Sequence, residues 1–182
     1  MKRLCVLGEH IFDKPACRCH VHQEHKTGFS MKLGILLHLV GLNRNTFNTM
    51  NRRTPLRFME RNLLDDRSYD RYTFTHAVAV GCVVELMNAG LPANRASSVV
   101  DATFDFIDAA VDEFSKNISS NNWWLTVTNF ADGSYGWAGG QEDARPLGDQ
   151  MVLSKLTINI EAVWQSMSQR IGTTRDPSNK DD

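Results

Sequence analysis

The chain has 182 residues, of which 42% are hydrophobic and 23% are charged, and its formal net charge is −1. These values are typical of a soluble globular protein with one sizeable domain or two small ones that share a core. No apolar run approaches the roughly 20 residues that a membrane-spanning helix needs. Gly8, Glu9 and His10 interrupt the apolar segment that a signal peptide would require. The composition therefore predicts a cytoplasmic protein that has no membrane partner.

Charge is distributed unevenly along the chain. Residues 31–72 contain eight Lys and Arg against four Asp and Glu, which is a local charge of +4. Residues 76–116 contain two against six, which is a local charge of −4. This pattern allows one surface to bind a polyanion while the rest stays soluble, and two solvated faces without a partner would give the same counts.

Residues 1–29 show no helical or alternating periodicity and are predicted to be an irregular extension. This segment contains a cluster of residue types that bind zinc, namely Cys17, Cys19, His20, His22 and His25. The usual Cys-x2-Cys spacing of a tetrahedral zinc site is absent, so we expect neither a metal site nor a cofactor. Cys82 lies in an apolar run and is predicted to be buried, and no disulfide framework is indicated.

The first helix is predicted in the run MKLGILLHLVG, which begins at Met31. Ser30 is a candidate N-cap, because its hydroxyl can accept from a backbone N–H of the first turn. Gly41 is expected to end the helix, because glycine adopts the left-handed conformation at little cost. The apolar residues follow helical spacing: Leu33, Leu36, Leu37 and Val40.

A second helix is predicted over RNTFNTMNRR, residues 44–53, with Asn43 as its N-cap. Phe47 and Met50 are expected to point inward, while the polar residues around them point outward. Two short helices joined by a glycine turn form the pattern of a helix-turn-helix.

Residues 54–75 differ from the helices on either side. Pro55 stops the second helix, and residues 67–75, RSYDRYTFT, have the alternating aromatic pattern of a short strand or wing. A third helix is predicted over 76–89, and Gly90 is expected to end it.

A fourth helix is predicted from Pro92 to about Lys116. Its apolar residues follow a 4-3-4-3 spacing, which is typical of a helix that packs against a partner helix: Val100, Phe104, Ile107, Val111 and Phe114. We interpret this seam as a dimerisation surface. A row of carboxylates on the same helix is interpreted as a solvated face rather than as catalytic pairs: Asp101, Asp105, Asp108 and Asp112.

The C-terminal part is predicted to be a small antiparallel sheet followed by a helix. Residues 123–130 and 150–160 read as strands, 131–140 as turn residues, and 161–171 as a short closing helix. The fold class is therefore α+β. The expected divisions are an extension at 1–29, a winged helix-turn-helix at 30–91, a connecting dimerisation helix at 92–117, an α+β module at 118–172 and a disordered tail at 173–182.

Three segments, taken together in their order along the chain, resemble the MerR family of winged helix-turn-helix proteins. They are ILLHLVGLNRNTFNTMNRR, YDRYTF and VVELMNAGLPANRASSVV, and the resemblance covers about residues 30–100. It implies a recognition helix at 44–53, a basic wing after it, and a C-terminal region that dimerises and often senses an effector.

The resemblance and the residue types together give a set of candidate DNA contacts. Arginine can pair with guanine and asparagine with adenine in the major groove, and further arginines neutralise phosphates. The candidates are Arg44, Asn45, Thr46, Asn48, Thr49, Arg52, Arg53, Arg57 and Arg61, with Arg67, Arg71 and Tyr72 on the wing.

The predicted function is that of a sequence-specific transcriptional regulator that binds double-stranded DNA as a homodimer. An excisionase-like architectural protein and a protein-interaction module without DNA binding are the alternatives. No nucleophile with a base and no phosphate-binding glycine loop is found, so no enzymatic activity is expected. The C-terminal aromatics are interpreted as core or dimer interface, or as the lining of an effector pocket: Trp123, Trp124, Phe130, Tyr135, Trp137 and Trp164.

Overall fold

A computed structural model of the chain describes residues 30–63, 71–116, 123–140 and 151–174. In these ranges the fold is α+β, as predicted, and no helix is long and apolar enough to cross a membrane. The helices are α1 (Leu33–Val40), α2 (Arg44–Arg53), α3 (Phe74–Asn88), α4 (Ala93–Ala102), α5 (Phe104–Ser115) and α6 (Ile160–Thr174). A 3₁₀ turn spans Arg57–Glu60, and the strands are β1 (Trp124–Phe130), β2 (Tyr135–Gly139) and β3 (Val152–Asn159).

Helix α3 forms the centre of the molecule. It is apolar on every side, which is typical of a helix that is covered all round, and its residues from Thr75 to Val83 are all buried. Helices α1, α4, α5 and α6 pack against it. Cys82 is fully buried on this helix, as predicted, and burial raises the pKa of its thiol to about 12.

The first two helices have nearly the predicted bounds. Gly41 ends α1 with a φ of 76°, and the Asn43 side chain caps α2 by accepting from the Thr46 N–H at 2.8 Å. The N-cap of α1 differs from the prediction. It is Lys32 rather than Ser30, because Met31 is held in an extended bridge before the helix begins.

The segment predicted as a strand or wing is extended only in part. Tyr72 forms an isolated antiparallel bridge with Met31, with N–H···O distances of 2.8 and 3.2 Å in the two directions. Thr73 is then the N-cap of α3, so the two residues after it are helical rather than extended. Residues 67–70 of the predicted wing lie outside the described residues, which are interrupted from 64 to 70.

The predicted fourth helix is two helices, α4 and α5. They meet at Thr103, whose hydroxyl donates to the Val99 carbonyl at 2.8 Å. Such back-bonding by a threonine competes with the helical ladder and bends helices. Every residue of the predicted dimerisation seam is buried within the chain itself. In this fold the seam packs against the chain's own helices, chiefly α3 and α6, and exposes no surface to a second chain.

The sheet is antiparallel with the order β2-β1-β3. Its central strand β1 is almost fully buried, with Leu125 and Val127 in the core. Strand β2 occupies residues that the sequence predicts as turn. Arg95 of α4 fastens this hairpin, because its guanidinium donates to Asn129 and to the Gly133 carbonyl and stacks over Tyr135.

The closing helix α6 extends slightly beyond the predicted 161–171 at both ends. It packs against α1, α3 and α5. Buried side chains from α1 through α6 form one continuous hydrophobic cluster. Of the two helices of the predicted helix-turn-helix, α1 is in direct contact with α6, and α2 packs against α1.

Candidate nucleic-acid interface

The connection between α1 and α2 is tight and fully hydrogen-bonded. The N–H groups of Gly41 and Leu42 donate to the carbonyls of His38 and Leu37 at 3.1 and 2.9 Å. This pair of hydrogen bonds is the Schellman motif that ends many helices. Asn43 then caps α2, so three residues separate the two helices and fix their relative direction.

Helix α2 has one buried face and one polar face. Phe47 and Met50 are 5% and 9% exposed and attach the helix to the core. On the opposite side, the residues three, four and seven positions after Asn45 line up with it in one stripe along the helix axis. All of them are exposed: Asn45, Asn48, Thr49 and Arg52. The structure therefore places four of the candidate DNA contacts on one exposed face of α2.

The surface of α2 is strongly basic. The helix carries three arginines and no acidic residue, and Arg44, Arg52 and Arg53 are all exposed. None of them forms an ion pair with a residue in the described ranges. Thr46 is exposed as well, although its backbone N–H is used in the cap of the helix.

The chain that follows α2 is anchored so that Arg57 stays in solvent. Leu56 and Phe58 are buried on either side of it, and the Phe58 ring stacks on Phe104 with centroids 5.7 Å apart. The Asn51 side chain accepts from the Leu56 N–H at 2.9 Å. These anchors present the Arg57 side chain at the surface near the end of α2.

Arg61 has a partner within the chain. Its Nη2 lies 3.6 Å from Oδ1 of Asp101 on α4, and the two side chains are 43% and 21% exposed. The carboxylate competes with a phosphate for this guanidinium. Arg61 is therefore a weaker candidate for phosphate contact than the arginines of α2.

The bridge between Met31 and Tyr72 sets the positions of two further basic residues. In its antiparallel register Lys32 lies opposite Arg71. Sequence reasoning did not select Lys32, because nothing local to it indicates pairing with a residue about 40 positions later. The Arg71 guanidinium stacks over the Tyr72 ring at 5.4 Å, and the ring also meets His76 edge-on. Tyr72 thus serves the fold, and the bridge places Arg71 and Lys32 at facing backbone positions.

Hydrogen bonds of the buried His76 side chain link Arg61, which precedes residues 64–70, to Thr73, which follows them. Its Nδ1 accepts from the Thr73 N–H at 3.0 Å, and its Nε2 lies 2.7 Å from the Arg61 carbonyl. Because Nδ1 is an acceptor, the proton is on Nε2, which donates to that carbonyl. Burial lowers the pKa of the ring, and the hydrogen bond to Arg61 and the charge of Asp108 oppose this effect.

The acidic residues of α4 and α5 mostly have structural partners. Asp108 accepts from the Thr75 hydroxyl at 2.7 Å, and Asp112 pairs with Lys116 at the same distance. Glu113 accepts from the indole N–H of Trp123 at 3.0 Å. The interpretation of this row as a solvated face is thus incomplete, since only Asp105 of the four predicted aspartates is fully exposed.

Two of the C-terminal aromatics, Trp123 and Trp164, pack against phenylalanines of α5. Trp123 contacts Phe106 and Phe114, with ring centroids 4.8 and 6.2 Å apart, and Trp164 contacts Phe114 at 5.5 Å. Of the six aromatics only Phe130 is buried, and the other five are half-buried. A cleft between α1, α3 and α6 has a volume of only about 40 Å³, which holds water rather than an organic effector.

Three predicted features lie outside the described residues, one of them being the tail from residue 175 onward, whose first two predicted residues, 173–174, belong to α6. Arg67 belongs to the wing, and the cysteine and histidine cluster belongs to residues 1–29. Comparisons with protein families, with curated proteins and with solved structures found no match to this chain.

Proposed function

We propose that this chain is a sequence-specific DNA-binding regulator and that α2 is its recognition helix. The observation that carries the proposal is the exposed face of α2, which combines Arg44, Asn45 and Asn48 with no acidic side chain. These residue types form the hydrogen bonds that distinguish base pairs in the major groove.

The way α2 is held also supports this function. A recognition helix has to protrude from a rigid body so that its polar face reaches the base edges. Here Phe47 and Met50 attach the opposite face to the core, and the turn at Gly41 fixes the approach of the helix. The resulting surface is rigid, polar and basic.

The basic residues outside α2 fit contacts to the phosphates. Arg57 is exposed next to the end of α2, and Arg71 lies opposite Lys32 at the extended bridge. Phosphate contacts hold a protein in position without reading sequence. We therefore assign base reading to α2 and positioning to these flanking cations. That the protein acts as a homodimer stays a prediction, and because the seam is buried within one chain we do not assign the interface to it.

The proposal is tested by selecting genomic fragments with the purified full-length protein and measuring the affinity for the enriched fragment at several salt concentrations. Several phosphate contacts predict a log–log slope of several units. The variant Lys155→Ala removes an exposed cation of β3 and serves as a charge-matched control for Arg52→Ala in α2. Failure to enrich any fragment at low salt, or equal losses in the two variants, would refute the proposal.

A further inference from the structure

One stripe of α6 holds the helix against α3. Val163 and Met167 are one turn apart on this stripe, and both meet α3 at Gly81. A Cβ on Gly81 would lie 2.8 Å from a methyl carbon of Val163, and closer still to the end of Met167. The missing side chain thus lets α6 approach α3 closely, which makes α6 a firmly seated element.

The next residue of this stripe, Arg170, reaches a different helix. Its Nη1 donates to the backbone carbonyl of Leu39 at 2.7 Å. The last carbonyls of a helix lack partners within that helix. The N–H groups of Gly41 and Leu42 serve other carbonyls of α1, so neither of them satisfies Leu39. A residue of α6 therefore supplies the hydrogen bond that α1 cannot make for itself.

The charge of Arg170 strengthens this contact. The C-terminus of a helix carries a partial negative charge, which attracts a cation, and hydrogen bonds from an ionised donor are stronger than neutral ones. The guanidinium also lies against the turn, because a Cβ on Gly41 would be 3.0 Å from Nη1. Arg170 thus contacts both the last turn of α1 and the residue that begins the turn into α2.

We propose that Arg170 is a positioning residue for DNA recognition, an inference that rests on the proposed function of α2. By holding the Leu39 carbonyl and the turn at Gly41, it fixes where α1 ends and hence the direction in which α2 leaves the body. Specific binding needs side chains placed within hydrogen-bonding distance of base edges, whereas non-specific binding needs only charge. Arg170 therefore contributes to the preference for specific over unrelated DNA.

The test compares Arg170→Met with Arg170→Lys, which keeps the charge, and with Gln169→Met, a control at the exposed neighbouring position. Affinities for the selected fragment and for unrelated DNA are measured at a temperature well below the midpoint of thermal unfolding of every variant. Amide hydrogen exchange of residues 40–46 is measured in the free proteins. We expect Arg170→Met to bind the selected fragment about tenfold more weakly, as the loss of one charged hydrogen bond implies. We also expect faster exchange at 40–46, nearly unchanged affinity for unrelated DNA, partial rescue by lysine and no effect in the control.

Three outcomes overturn the inference. If Arg170→Met loses affinity equally for the selected fragment and for unrelated DNA, and Arg170→Lys restores it, Arg170 is a phosphate contact. If amide exchange at 40–46 becomes faster but the affinity for the selected fragment does not change, Arg170 only caps α1. If neither the exchange nor the affinity changes, Arg170 does not position α2. A wild-type protein that selects no DNA refutes the proposed function and this inference with it. The exchange data then still show whether the link from Arg170 to the turn exists.

Discussion

The imidazole of His76 donates to the carbonyl of Arg61 at 2.7 Å, which ties the N-terminal turn of α3 to the chain after the 3₁₀ turn. The hydrogen bond that His76 accepts from the Thr73 N–H needs the neutral ring, because protonated Nδ1 cannot accept, whereas the donation to Arg61 is possible in either protonation state. Burial lowers the pKa of His76 below its usual value of 6.5. The stability of the fold should therefore depend on the protonation of this one side chain.

We predict that the free energy of unfolding decreases as the pH falls below about 6.5, because the unfolded chain then binds a proton that the folded chain does not. The decrease continues until the lower pKa of the folded state is reached. His76→Gln should lose about 1–3 kcal/mol at pH 8 and should show a smaller further loss on acidification. Denaturant unfolding at pH 8, 7, 6 and 5 measures both effects. His38→Gln is the control, since His38 is exposed at the end of α1, and equal pH slopes in wild type and His76→Gln would contradict the prediction.

Variants of α2 should separate base reading from phosphate binding. Arg44→Ala or Asn48→Ala should relax the preference at one or two base pairs, at a cost of about 1–3 kcal/mol on the best sequence. Arg57→Ala should weaken binding to all sequences by a similar factor. Competition binding against a set of singly substituted fragments distinguishes the two patterns. If every variant loses affinity uniformly, α2 is not the helix that reads the bases.

Breaking the ion pair of Asp101 should make Arg61 available to DNA. Asp101→Asn removes the negative partner 3.6 Å from the Arg61 guanidinium. Because that arginine is 43% exposed, we expect the stability to change by less than about 1 kcal/mol. The affinity for unrelated DNA should rise, and the salt slope should steepen by up to about one unit. Asp105→Asn, an exposed change of the same charge on α5, is the matched control, and an equal rise in that variant would mean that net charge alone is responsible.

Two glycine-to-alanine substitutions should have opposite effects on stability. Gly81→Ala brings a methyl group into Val163 and Met167, and overpacking of this kind costs about 1–3 kcal/mol. That cost exceeds the gain of up to about 1 kcal/mol in helix propensity. Gly34→Ala in α1 adds a methyl group with nothing within 4 Å, so only the gain remains. Thermal unfolding of both proteins measures the difference, and an increase in midpoint for Gly81→Ala would show that α6 is loosely packed.

The buried seam of α4 and α5 should be essential for folding rather than for dimerisation. Phe104 is fully buried and stacks on Phe58, so Phe104→Ala should cost about 3–5 kcal/mol. Phe104→Asp combined with Val111→Asp should abolish cooperative unfolding, because two charges would be buried without partners. Circular dichroism with light scattering tests this expectation. A folded monomer obtained from a dimeric wild type would instead place the seam between subunits.

The two short helices α1 and α2 were predictable because their signals are local. Asn43 can cap only the helix that follows it, and the spacing of Phe47 and Met50 already marks the buried side of α2. The break at Thr103 left no such signal, since both flanking segments have helical periodicity. The 4-3-4-3 pattern correctly identified a buried stripe, but periodicity does not say which surface covers it.

The features that escaped prediction depend on contacts between distant residues. Strand β2 is rich in glycine and turn residues, and only its pairing with β1 makes it a strand. Arg170 reads as one more polar residue of a closing helix, although it contacts a carbonyl 131 positions earlier. Patterns within a short window report local propensity and burial, and neither one specifies a partner at that separation.

The close seating of α6 on α3 has a consequence for the genetics of this protein. A frameshift or stop codon before residue 160 removes α6 and uncovers the apolar surface around Gly81, while α1 and α2 are left intact in sequence. Partly unfolded chains with exposed apolar surface are substrates for cellular proteases. Such alleles should therefore behave as complete losses of the protein, and they should not produce stable shortened chains that interfere with a normal copy.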